Sequence, residues 1–61
     1  MPYVSIRVAG TLTKEQKENM SKGVTEVICR ETSKPPEAVL IFIDEVERDN
    51  IAKAGKLLSN G

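Results

Sequence analysis

Between Tyr3 and Val8 apolar and polar residues alternate, so that Val4, Ile6 and Val8 fall on one face and Tyr3, Ser5 and Arg7 on the other. A period of two marks a strand with one covered face. Ala9-Gly10-Thr11-Leu12 breaks the alternation, and Thr13-Lys14-Glu15-Gln16 then fits a capping box. In that motif the threonine hydroxyl accepts an amide hydrogen bond and the glutamine side chain reaches back to the capping residue. The spacing predicts a helix over residues 14–32, where Met20, Val24, Val27 and Ile28 make one narrow apolar stripe. Gly23 weakens that helix by up to about 1 kcal/mol relative to alanine, and its place beside the stripe predicts close approach of another backbone. Ser33-Lys34-Pro35-Pro36 ends the helix, because proline lacks an amide donor and disfavours helical geometry in the residue before it.

Ala38-Val39-Leu40-Ile41-Phe42-Ile43 is a continuous apolar run that ends in Asp44-Glu45. It predicts a second strand covered on both faces. The chain's own helix can cover one face, and another subunit is needed for the other. Strand, helix and strand in this order predict an α/β (α+β) fold of one βαβ unit, with parallel strands joined right-handedly. The segment 46–55 has turn residues in its middle and small residues after them, which predicts a loop or short hairpin. Leu57 and Leu58 form an apolar pair able to dock on a neighbour, and Ser59-Asn60-Gly61 is expected to fray.

Composition narrows the classes of function. The 61 residues are read as one small domain, 1–61, with Tyr3 and Phe42 as its two aromatics and little material for a core. The single cysteine, Cys29, cannot form an internal disulfide, and without histidine there is no Cys/His set for a structural zinc. Oligomerisation is then the expected support for so small a fold. Nine basic and nine acidic residues balance, which removes the simple electrostatic case for nucleic acid or an anionic membrane. No apolar run approaches the roughly 20 residues that span a bilayer, and there is no signal-peptide pattern at the start. A soluble, cytoplasmic protein that acts without a cofactor is expected.

The candidate chemistry lies at Met1-Pro2-Tyr3. If Met1 is removed, the Pro2 nitrogen becomes a secondary amine with a lone pair instead of a tertiary amide with none. An ordinary α-amino group already titrates at about 7.7–8.0. Partial burial at the head of a strand pushes such an amine down toward neutrality, where it can act as a general base.

Pro2 before a period-two strand, Gly-Thr-Leu-Thr-Lys-Glu-Gln-Lys from Gly10 to Lys17, the Pro35-Pro36 break, the apolar strand ending in Asp44-Glu45 and Gly55 after a turn together resemble the 4-oxalocrotonate tautomerase family. The resemblance runs without gaps over nearly the whole chain. It implies a βαβ subunit that pairs sheet to sheet, with three such dimers making a hexamer. It also implies enol–keto tautomerisation of 2-hydroxy-dienoates such as 2-hydroxymuconate, with Pro2 moving a proton from the 2-hydroxyl to a remote carbon. Pro2 is the one catalytic residue that carries over.

The departures from the family pattern fall in the substrate pocket. Leu12 and Leu40 stand where the family has carboxylate-binding arginines, and Ile51 stands where it has phenylalanine. Leucine cannot make a charge-assisted contact, so the expected pocket is more apolar and a dicarboxylate is a poorer fit. Arg7, Arg48, Lys53 and Lys56 are the cations able to supply a displaced charge, although each reads first as a solvated surface group or an intersubunit ion pair. Two readings stay open: a proline-dependent tautomerase of weak or promiscuous activity on an enol acid, and an oligomeric scaffold or binding protein that keeps the fold without the chemistry. Of the remaining residues, Cys29 reads as packing and Tyr3 as pocket wall. Asp44, Glu45 and Glu47 read as a solvated strand edge rather than a metal site.

Overall fold

A computed structural model describes residues 1–60. Strand β1 (Tyr3–Ala9) is followed by helix α1 (Lys14–Thr32) and strand β2 (Leu40–Val46). A hairpin of β3 (Ala52–Lys53) and β4 (Lys56–Leu57) follows, then a 3₁₀ turn at Leu58–Asn60 where the sequence predicts that Ser59 and Asn60 fray, and Gly61 lies outside the described residues. β1 and β2 pair in parallel from Tyr3↔Leu40 to Ala9↔Val46, as the strand–helix–strand order requires.

The helix forms for the reason its first residues give. Thr13 Oγ1 accepts the Gln16 amide at 3.1 Å, and Gln16 Oε1 accepts the Thr13 amide at 2.9 Å. At the other end Ser33 adopts the left-handed conformation with φ 59° and donates its amide to the Cys29 carbonyl, a closing turn that leaves the two prolines outside the helix.

The second strand starts two residues later than the apolar run predicts. Pro36–Ala38 makes a single 3₁₀ turn, held by the Ala38 amide on the Pro35 carbonyl at 3.0 Å and the Val39 amide on the Pro36 carbonyl at 3.2 Å. The fixed φ of proline suits the first position of such a turn. At its far end the strand runs on through Asp44 and Glu45 to Val46, because β1 still offers partners there and both carboxylates find cations. Asp44 faces Arg7 at 3.7 Å, and Glu45 pairs with Lys17 of α1.

Alternation sorts the sheet into two faces. Val4, Ile6, Val8, Ile41 and Ile43 are half-buried under α1, whereas Tyr3, Ser5, Arg7, Leu40 and Phe42 are exposed on the open side. There the Tyr3 and Phe42 rings meet edge to face with centroids 6.2 Å apart. None of the described residues is fully buried, and Phe42 keeps 52% of its surface exposed. The radius of gyration is 14.7 Å, against about 10.5 Å for a compact chain of this length. The accessible surface is 4894 Å², against about 3900 Å² for a folded monomer of this mass. The excess matches what one partner covers in a standard interface, about 800 Å². One chain is therefore a thin slab without a buried interior among the described residues. No described helix is long and apolar enough to cross a membrane.

One feature differs from its expected role, and another takes one of its two expected forms. A Cβ on Gly23 would meet nothing within 4 Å, so the close backbone approach expected there does not occur within one chain. The segment after β2 is the hairpin form of the expected loop, and its two-residue turn carries Ala54 at φ 54° and Gly55 at φ 79°. Positive φ at both central positions defines a type I′ turn, where asparagine is favoured over alanine. Ala54→Asn is expected to raise stability by about 0.5–1 kcal/mol, read as a higher urea midpoint at fixed protein concentration. An unchanged or lower midpoint would count against the turn assignment.

Candidate active site

Pro2 stands at the head of β1. Its carbonyl accepts the Leu40 amide at 3.0 Å, the first hydrogen bond between the two strands. That bond fixes the residue from its carboxyl side. Pro2 is half-buried, whereas Met1 before it is 72% exposed.

The pocket candidates do not lie together in one chain. Leu40 is beside Pro2 through the backbone, although alternation sends its side chain to the open face with Tyr3 and Phe42. Leu12 and Ile51 belong to the opposite end of the sheet. Leu12 follows the last residues of β1, and Ile51 follows the 3₁₀ turn Arg48–Asn50 that succeeds β2. From Pro2 to Ala9 the strand covers about 23 Å at roughly 3.3 Å per residue, which is too far for one small substrate to bridge.

Each residue at that distant end is firmly placed. Gly10 has φ 102° and donates its amide to the Val46 carbonyl at 2.8 Å, which turns the chain out of β1. The half-buried Leu12 has its amide beside the Glu45 carboxylate. Ile51 donates its amide to the Arg48 carbonyl at 3.3 Å and accepts the Leu58 amide at 2.9 Å. An open hollow of about 790 Å³ forms here, with Arg7, Asp44, Val46, Asn50 and Ile51 among its walls. It is the largest concavity described, yet Pro2 is not part of it.

Glu45 corrects an expectation. It reads from sequence as one of three solvated edge carboxylates, but it faces the helix side, where Lys17 and the Leu12 amide share it. No local spacing links Glu45 to Lys17, so only the fold brings them together. The hydrogen bond from the Lys17 ammonium, its charge and the Leu12 amide hold the Glu45 carboxyl below its ordinary range, against the opposing effect of desolvation. A native pKa below the unfolded one stabilises the fold fully above the ordinary glutamate range. That contribution is lost as pH falls through the native value. Glu45→Gln should therefore be less stable than the parent at pH 7, with the gap closing on acidification. Parallel urea melts at the two pH values check this, and a gap independent of pH would remove the charge from the explanation.

Arg7, one of the cations considered for a displaced charge, is held loosely by Asp44. Lys53 and Lys56 face each other across the exposed hairpin. Cys29 is half-buried. Among the described residues no group of three or more carboxylates and thiols is placed to hold a metal ion.

Comparison with known proteins agrees with this architecture. The family described as tautomerase enzyme matches residues 2–61. The 2-hydroxymuconate tautomerase of Bacillus subtilis strain 168 is 40% identical over 60 residues, which cover 98% of this chain and 97% of that protein. A solved homologue of 4-oxalocrotonate tautomerase superposes with a TM-score of 0.91 at 38% identity, covering 98% of each chain. The structure of a trans-3-chloroacrylic acid dehalogenase superposes with a TM-score of 0.79 at 32% identity, over 92% of this chain and 97% of that one.

Proposed function

The chain belongs to the tautomerase family, and from that premise we propose that it is an enol–keto tautomerase whose general base is the Pro2 nitrogen, freed by loss of Met1. The uncovered secondary amine takes the proton of a substrate 2-hydroxyl as the enol collapses to the ketone. The electron pair moves along the conjugated chain, and the resulting prolinium returns a proton to a remote carbon. Atoms and charge balance within substrate and amine, and no cofactor is required.

The observation that carries this reading is the state of Pro2. It is half-buried, tethered by its carbonyl to Leu40 at 3.0 Å, and preceded by a residue that is 72% exposed. A base fixed by a strand rather than by a loop holds its angle of approach, which proton transfer over hydrogen-bond distance demands.

The substrate class is a 2-hydroxy-dienoate or a related enol acid, by similarity to the relative named 2-hydroxymuconate tautomerase. Leu12 and Leu40 favour a more apolar member of that class with one carboxylate over a dicarboxylate. The 23 Å between the ends of one sheet calls for a site built by more than one copy, with Leu12 and Ile51 brought to Pro2 from a neighbour. This supports a homo-oligomer, and the resemblance to 4-oxalocrotonate tautomerase favours a hexamer.

The test is ketonisation of 2-hydroxymuconate and of a monocarboxylate 2-hydroxy-dienoate, followed by absorbance, for the processed protein and for Pro2→Ala. Faster turnover of the monocarboxylate that falls on substitution supports both the base and the apolar pocket. Equal rates for the two proteins would transfer the chain to the alternative role of a catalytically impaired scaffold.

A further inference from the structure

We propose that Arg48 is the cation that receives the substrate carboxylate, reaching from the turn after β2 to the loop that carries Leu12. This rests on the enol-acid reading above and names the specificity-determining residue that such a substrate needs.

Two other cations near this end of the sheet are paired with carboxylates, and Lys53 and Lys56 lie further along on the exposed hairpin. Arg7 faces Asp44 at 3.7 Å, and Lys17 is paired with Glu45. Arg48 stands in no ion pair among the described residues. Its Nη1 lies 3.5 Å from where a Cβ on Gly10 would sit, so the guanidinium lies alongside the loop two residues before Leu12. The φ of 102° that lets Gly10 turn the chain disfavours any side chain at this position.

Arg48 is also fixed at its own backbone, because its carbonyl accepts the Ile51 amide at 3.3 Å. A planar fork of donors thus shares one edge of the sheet with Leu12 and Ile51, both half-buried and apolar. This combination suits an anion at one end of an unsaturated hydrocarbon chain. Arginine matches a carboxylate bidentately, and lysine does so only as a point charge.

Binding separates this assignment from the proline chemistry. The probes are sorbate, an unreactive monocarboxylate dienoate, and its neutral amide, titrated by calorimetry into the assembled, Met1-processed protein. Arg48→Gln is expected to weaken sorbate about tenfold or more and leave the amide unchanged, with Arg48→Lys in between. In turnover the same substitution raises KM for a carboxylate substrate with little change in kcat. Arg48 is exposed, and the circular dichroism and mass of both variants verify that fold and assembly persist. Undiminished sorbate binding by Arg48→Gln, or no sorbate binding by the parent, overturns the assignment. Pro2-dependent turnover with KM unmoved by Arg48→Gln overturns it too, and leaves the proline reading standing. Arg48-dependent binding in a protein whose turnover ignores Pro2→Ala supports the assignment and defeats the proline reading alone.

Discussion

Protein that retains Met1 is expected to ketonise its substrate about 10²–10⁴-fold more slowly than processed protein, the range a positioned general base contributes. The cause is electronic. An amide nitrogen delocalises its lone pair into the carbonyl and cannot hold a proton near neutral pH, however well the sheet places it. Pro2→Ala is the milder change, since processing would leave a primary amine in roughly the same place. Its loss should fall between that of the blocked chain and no loss, because the alanine amine turns freely where the proline ring does not. Intact mass sorts the preparations, and rates measured on each sort the mechanism. Equal rates with and without Met1 would remove Pro2 as the base.

Phe42→Asp is expected to take apart both assembly and fold. In one chain Phe42 lies half-exposed on the open face, with Leu40 and Tyr3 beside it, and no described residue is fully buried. In the proposed homo-oligomer, covering that face contributes about 1.5–3 kcal/mol for each large apolar side chain fully buried. An aspartate there reverses the gain and adds the cost of burying an unpaired charge. Sedimentation should show loss of the large species, and helical circular dichroism should fall at micromolar concentration. Parent protein should itself melt at a temperature that rises with its concentration. Asn19→Asp, on an exposed position of the helix, is the control expected to change neither. A Phe42→Asp protein of parental mass and stability would show that the open face is not where copies meet.

The readability of this fold from sequence varies with the range of the interactions. The period-two run at Tyr3–Val8 and the Thr13/Gln16 box are local signals, and the corresponding strand and cap form where they indicate. The start of β2 is less legible because Ala38 and Val39 are as apolar as the strand that follows. A turn led by Pro36 claims them, and hydrophobicity alone does not register a turn. The pairing of Glu45 with Lys17 crosses from a strand to a helix 28 positions earlier, so nothing in either neighbourhood announces it. For the site, the chemistry of Pro2 is legible from one residue and its place at the terminus. Which side chains approach it is not settled within one chain, where Leu12 and Ile51 stand at the far end of the sheet, and a one-dimensional pattern has no coordinate for that. The same limit explains Gly23, whose open flank faces no atom of its own chain.

The uncovered sheet face also bears on how this gene can vary. In a solitary protein a substitution is counted once. In any assembly of identical chains a change at Tyr3, Leu40 or Phe42 recurs in every copy, and its energetic effect is multiplied by the symmetry. A drift that an exposed helix position would tolerate as noise is thereby turned into a threshold. Selection should hold these three positions to a narrow range of apolar residues while the outer side of α1 changes freely.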